Sequence, residues 1–264
     1  QNDTGTCPNT GSASASRSHH VAGMATIDAA NQLMNAMRKA DGTFRTYAEM
    51  VAEGIPTKYE GHFKTPAKYL DINRYDGHGY GSAAQNYVLY LAEVEVDTAT
   101  GKTTVLRTRE VSDIGVVGSR LAVEGQAFGG LSHSIGFALK EQYSDEKKHS
   151  TMFGAGIPLC SDIPDDMEII FHVTDRPEGP QKSTGCSESF QSSGHVAVLN
   201  AIHNAVGVRI YTLPATAEKV KAGMDALAAG KPAKSERWDL GCDFYAHMDE
   251  LARRRDEAFA AEQK

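Results

Sequence analysis

Two runs of residues, 86–97 and 102–112, constrain this 264-residue chain more than any other stretch. The first, Asn-Tyr-Val-Leu-Tyr-Leu-Ala-Glu-Val-Glu-Val-Asp, passes from continuously apolar to alternating apolar and acidic, the period of a strand with one wet face. Thr98-Ala99-Thr100-Gly101 supplies a turn, and Val105, Leu106 and Val111 mark the return, so the spacing predicts an antiparallel hairpin.

Helical patterns surround this hairpin. Ala25, Ala29, Leu33, Ala36 and Met37 recur at helical spacing over 20–38, and Lys39-Ala40-Asp41-Gly42 supplies a stop. Thr46-Tyr47-Ala48-Glu49 has the spacing of a capping box and opens a short helix ending at Gly54. Residues 58–64 alternate weakly and are expected as a strand. Residues 118–141 read as a helix interrupted by Gly125, Gly129, Gly130 and Gly136, which implies close packing against another element or a ligand. A loop over 145–165 leads to a strand at 167–173. A helix over 195–205 is expected to bury Val198, Ala201, Ile202 and Ala205. A strand over 208–213 and a helix from Pro214 to about residue 229 follow. There is no regular strand–helix alternation, no P-loop and no G-x-G-x-x-G after a strand, so a layered α+β fold of mixed sheet and helices is expected. Residues 1–229 read as one unit. Residues 230–264 read as a charged helical tail, with Arg253-Arg254-Arg255 on a solvated face.

A net charge of -7 and a pI near 5.8 disfavour a nucleic-acid partner. Cys7, Cys160, Cys186 and Cys242 form no C-x-x-C pair, so no zinc or iron–sulfur site is expected in this chain, and reduced thiols suit a cytoplasmic protein. No apolar run reaches the roughly 20 residues of a membrane span. The first residues, Gln-Asn-Asp-Thr-Gly, have neither an initiator methionine nor a signal-peptide pattern, as expected of a segment or processed subunit of a longer protein.

Two polar stretches carry the chemistry. Ser14-Ala15-Ser16-Arg17-Ser18 runs into the first helix, where hydroxyls, a guanidinium and helix N-terminal amides suit an anion; a flexible linker with a serine cap is the plainer reading. Gly185-Cys186-Ser187-Glu188-Ser189 places one carboxylate among glycine and small polar residues ahead of a helix, although a solvated loop acid would look the same. Gln126 and His133 are polar groups inside the glycine-interrupted helix, and either could be a satisfied interior side chain.

Taken in order, Cys7-Pro8-Asn9, the serine run, Gly125-Gln126-Ala127-Phe128-Gly129-Gly130, Gly154-Ala155-Gly156-Ile157-Pro158, Ile163-Pro164-Asp165-Asp166, Gly185-Cys186-Ser187-Glu188 and Asn204-Ala205-Val206-Gly207-Val208-Arg209-Ile210-Tyr211 resemble the second half of the molybdenum-binding subunit of the xanthine oxidase family. The resemblance is greatest to its bacterial aldehyde oxidoreductases and covers about residues 2–224. It implies the family's second molybdopterin-binding domain and a pterin dithiolene that holds molybdenum. It implies that Glu188 is the general base, and that Ser14, Ala15, Ser16, Arg17, Ser18, Gln126, Gly185, Cys186 and Ser187 face the cofactor, with no protein ligand to the metal. Ser187 replaces the family's second glycine, and Ser189-Phe190-Gln191-Ser192 replaces its proline-containing segment. Further implications are a cytosine dinucleotide form of the cofactor, [2Fe-2S] clusters and remaining cofactor loops outside this chain, an aldehyde or N-heteroaromatic substrate, and oligomeric assembly. A non-catalytic scaffold keeping the fold, or a nucleotide-binding module using the serine run alone, are the alternatives.

Overall fold

The computed structural model describes residues 3, 5–7, 12–69, 79, 81–233, 250 and 253–254. Among them a three-stranded mixed sheet forms in the order β1 (Tyr87–Val96), β2 (Thr103–Asp113), β3 (Asp166–Phe171). β1 and β2 are the expected antiparallel hairpin, and β3 joins β2 in parallel. A bulge between Glu93 and Val94 leaves Leu106 opposite no residue, so Leu106 and Arg107 both face solvent and the inward positions of β2 become Val105, Thr108, Glu110 and Ser112. The apolar markers Leu106 and Val111 therefore do not identify the buried face.

The helices are α1 (Ser18–Met37), α2 (Tyr47–Ala52), α3 (Arg120–Leu139), α4 (Gly194–Val206) and α5 (Ala217–Ala228). The capping box at Thr46 is present: its N–H donates to Glu49 Oε2 at 2.7 Å, and its hydroxyl accepts from Glu49 N at 3.3 Å. The larger core joins Val105 of β2, Ile135 and Ala138 of α3, Val198 and Ile202 of α4, and Val220 of α5. Each buried Val or Ile contributes about 1.5–3 kcal/mol relative to exposure. A second cluster, Ile114, Ala127, Ile169, Cys186 and Phe190, packs the end of the sheet against α3 and the loop that carries Glu188. Gly130 permits that contact, because a Cβ there would lie 2.6 Å from the Phe190 carbonyl. By contrast, Gly125 and Gly129 face open space.

Four expectations are corrected. Residues 58–64 form no strand, because α1 satisfies their backbone: His62 N–H donates to Asp28 Oδ2 at 2.9 Å and Gln32 Nε2 to the Glu60 carbonyl at 3.1 Å. Residues 208–213 also form no strand beyond a single bridge at Arg209, whose N–H donates to the Ala233 carbonyl at 2.9 Å. The helix expected from Pro214 begins at Ala217, where Thr216 is the N-cap residue and its hydroxyl accepts from Lys219 N. On α4 the fully buried stripe is Gly194, Val198 and Ile202, with Ala201 half-buried and Ala205 exposed, because the contact follows the i, i+4 ridge. The tail helix expected over 243–263 lies almost wholly outside the described residues.

Candidate functional site

The serine run does not cap α1. Arg17 occupies the N-cap position without a side-chain cap, which leaves the orphan amides of a 20-residue helix open to a ligand. Ahead of it Ala15 (φ 50°) and Ser16 (φ 55°) both adopt left-handed backbone, and Arg17 N–H closes the turn on the Ser14 carbonyl at 3.1 Å. This is a strained turn for two non-glycine residues.

That turn meets the Glu188 loop. Ser16 Oγ donates to Glu188 Oε2 at 3.1 Å and accepts from Glu188 N–H, also at 3.1 Å. Gly185 makes the approach possible, since a Cβ there would lie 1.8 Å from the Ser16 carbonyl oxygen. From below, Asn86 Nδ2 donates to the Gly185 carbonyl at 2.8 Å and to Ser189 Oγ at 3.1 Å, and the Tyr90 hydroxyl donates to the Ser189 carbonyl. Within the loop, Ser189 Oγ donates to the Cys186 carbonyl at 2.6 Å.

The start of the loop is pinned to the end of β2. Thr184 N–H donates to the Ile114 carbonyl at 3.2 Å, and Val116 N–H to the Lys182 carbonyl at 3.0 Å. Beside them the Arg176 guanidinium pairs with Asp113 at 3.1 Å, both side chains nearly buried at 12% and 10% exposure. Burial would raise the Asp113 carboxyl, but hydrogen bonds from Thr174, Gly115 N–H and Arg176 outweigh it and hold the group at about 2.

A cleft of about 740 Å³ opens between these loops and α3. Ser14, Ser16, Ser18, Gln126, Gly185, Cys186, Ser187 and Glu188 line it, with Ile114, Val116 and Val123 as an apolar wall. Glu188 is exposed to it, and Gln126 presents its amide from the second turn of α3. The Cys186 thiol is pushed up to about 11 by burial and then by the nearby Glu110, so it lines the cleft as a neutral group. A second cavity of about 570 Å³ lies on the other side of the 14–17 turn, lined by Ala15, Arg17, His20, Lys64, Ser82 and Asn86 among others. There His20 Nδ1 and Asn86 Oδ1 are buried without a hydrogen-bond partner among the described residues. Burial, followed by the charge of His19, lowers the His20 imidazole and favours its neutral form.

The ten residues singled out from sequence thus gather around two adjoining cavities. His133 does not join them; its Nδ1 is 2.9 Å from Gln191 Oε1. Sequence reasoning missed Asn86, Tyr90 and His19. The first two carried no local signal, since their partners lie about 100 positions away; His19, whose Nε2 is 2.6 Å from Ser183 Oγ, was legible only as part of a helix start.

Residues 1–164 match the family described as the molybdopterin cofactor-binding domain. The chain belongs to that family. This molybdopterin cofactor-binding domain is 40% identical over 227 residues to the aldehyde oxidoreductase of Megalodesulfovibrio gigas, covering 86% of this chain and 25% of the relative. It is 32% identical over 172 residues to a nicotinate dehydrogenase of Pseudomonas putida, covering 62% of this chain and 14% of that one. The crystal structure of the aldehyde oxidoreductase from Desulfovibrio desulfuricans matches at a TM-score of 0.77 and 45% identity over 84% of this chain and 24% of that one. The α+β expectation and the resemblance to bacterial aldehyde oxidoreductases are borne out. The chain spans about a quarter of the length of these aldehyde oxidoreductases.

Proposed function

We propose that this domain forms one wall of the cofactor site of a molybdenum hydroxylase that oxidises aldehydes to carboxylic acids with water as the oxygen source. The observation that carries the reading is the reciprocal Ser16–Glu188 pair at the mouth of the larger cleft. The donor set fits a pterin nucleotide: an uncapped helix N-terminus and Arg17 suit its phosphates, and the orphaned His20 Nδ1 and Asn86 Oδ1 offer partners in the second cavity. On this reading the pterin faces Gln126 and Cys186, and the nucleotide, a cytosine nucleotide, enters the second cavity.

When bound, the molybdenum centre supplies a Lewis acid and a two-electron oxidant. Glu188 accepts a proton at Oε1, the oxygen left free by Ser16. Ser16 fixes the rotamer of that carboxylate, and the loop amide bonded to Ser16 keeps it from swinging into solvent. Ile114, Val116 and Val123 exclude water along the opposite wall. The electrons leave through [2Fe-2S] clusters that lie outside this chain, in a cytoplasmic, oligomeric enzyme. The names of the aldehyde oxidoreductase relatives support an aldehyde over an N-heteroaromatic substrate, and favour an enzyme over a scaffold. Metal and nucleotide analysis of the complete enzyme tests the proposal. Stoichiometric molybdenum with cytosine nucleotide is expected, and a complete enzyme without molybdenum would refute it.

A further inference from the structure

Glu110 occupies an inward position of β2, where its side chain is 0% exposed and neither carboxylate oxygen has a partner among the described residues. Two positions away on either side, Thr108 and Ser112 are likewise buried with unpartnered hydroxyls. Such a stretch of inward polar groups is not packing for its own sake, because an apolar residue would fill the space without desolvation cost.

The register places Glu110 opposite Tyr90 on β1 and Ile169 on β3. Tyr90 is the residue whose hydroxyl holds the Ser189 carbonyl, and it also lies 3.3 Å from Ser192 Oγ. Ile169 packs in one cluster with Cys186 and Phe190, which flank Glu188 in sequence. Glu110 therefore lies behind the loop that presents the candidate base. Around it, β1 contributes Tyr90, the loop Cys186 and β3 the apolar Ile169; α3 and α4 bring Ser134 and Gly194 against Tyr90, neither of which titrates. The histidines of those helices are engaged elsewhere, His133 with Gln191 and His195 with the Phe137 ring.

We propose that Glu110 and Tyr90 are positioning residues that seat the loop bearing Glu188, and that the seat holds only while Glu110 keeps its proton. Burial pushes the Glu110 carboxyl up to about 8, so it is neutral at lower pH. Among the described residues neither an ammonium nor a guanidinium pairs with it to hold the ionised form. An ionised Glu110 must recruit water, and the unpartnered hydroxyls of Thr108 and Ser112 give that water partners along the strand. Water entering there separates Cys186 and Phe190 from Ile169, draws the Ser189 carbonyl off Tyr90 and shifts Glu188. The catalytic consequence rests on the general-base reading of Glu188, whereas the seating of the loop does not.

The test uses the complete, molybdenum-loaded enzyme as wild type, Glu110→Gln, Tyr90→Phe and Glu188→Gln. Amide-exchange protection factors for residues 186–192 report the loop without reference to turnover. In wild type they should fall at least about tenfold between about pH 6 and about pH 10, and in Glu110→Gln they should stay level. The alkaline limb of kcat should move out by about one pH unit or more in Glu110→Gln, with KM changed less than about twofold. Tyr90→Phe should lower both protection and kcat about tenfold at every pH. Equal, pH-dependent protection in wild type and Glu110→Gln overturns the proposal. Should Glu110→Gln fail to fold, the wild-type profile decides: level protection overturns the proposal, and the tenfold fall supports it. Undiminished turnover in Glu188→Gln would instead refute the general-base reading, leaving the loop measurement to stand or fall by itself.

Discussion

Ser16 and Glu188, 172 positions apart, exchange two hydrogen bonds through one hydroxyl, which donates to the carboxylate and accepts from the amide of the same residue. The two loops are thus one unit, and the orientation of the acid depends on a serine in left-handed backbone at φ 55°. Ser16→Gly separates these contributions. Glycine accepts that backbone conformation without strain, so the loss is confined to the hydroxyl. A hydrogen bond to a charged group contributes about 1.5–3 kcal/mol, and turnover of the complete enzyme is expected to fall about ten- to a hundredfold while the unfolding midpoint changes little. Paired kinetics and calorimetry check this. Undiminished turnover would remove Ser16 from the site.

Gly185→Ala acts on the same junction by sterics. The new Cβ would lie 1.8 Å from the Ser16 carbonyl oxygen, a backbone atom that cannot rotate away. Overpacking of this kind costs about 1–3 kcal/mol. A lower unfolding midpoint and lower cofactor content are expected together, measured by thermal denaturation and metal analysis. Ser14→Val with Ser16→Val should lower molybdenum content in a protein that still folds, because two donors are lost and an anionic ligand is crowded.

Arg176 and Asp113 fix the loop's root, and their pairing predicts an acid transition. Asp113 is held at about 2 against an ordinary 3.8, so its contribution to stability is fully present above 3.8 and is lost as pH falls through about 2. Arg176→Ala leaves a nearly buried carboxylate without its cation, at a cost of about 3–5 kcal/mol. Its acid unfolding midpoint should move to higher pH, followed by circular dichroism; an unchanged midpoint would show that Thr174 and Gly115 suffice to hold the charge.

How much of this was legible follows from where each residue finds its partner. The hairpin and α1 were readable because their period is local. Residues 58–64 were not, because their backbone partners are side chains of α1, such as Asp28, 34 positions before His62. Glu110 was hidden for a different reason: the bulge opposite Leu106 shifts the register, so apolar markers point outward and the acid inward. The serine run and the Glu188 loop were conspicuous by composition, but their junction was not, because neither segment encodes the other. Asn86 and Tyr90 read as ordinary strand residues and became part of the site only once the chain had folded.

The last prediction concerns Glu188 itself. Glu188→Gln keeps the volume of the side chain and an acceptor for Ser16 Oγ, so the junction and the cleft should persist. The amide cannot take up a proton, and general-base catalysis is worth about 10²–10⁴-fold. Turnover should fall by that factor at unchanged molybdenum content. Glu124→Gln is the control: Glu124 pairs at 2.7 Å with Arg120, whose side chain is 75% exposed, and it does not line the cleft. An exposed i, i+4 pair contributes about 0.3–0.5 kcal/mol, so this variant should turn over normally. If Glu188→Gln kept more than about a tenth of wild-type turnover, short of the range for a general base, the carboxylate would be only a structural partner of Ser16. Equal losses in both variants would point to disturbed packing around the cleft and not to a missing base.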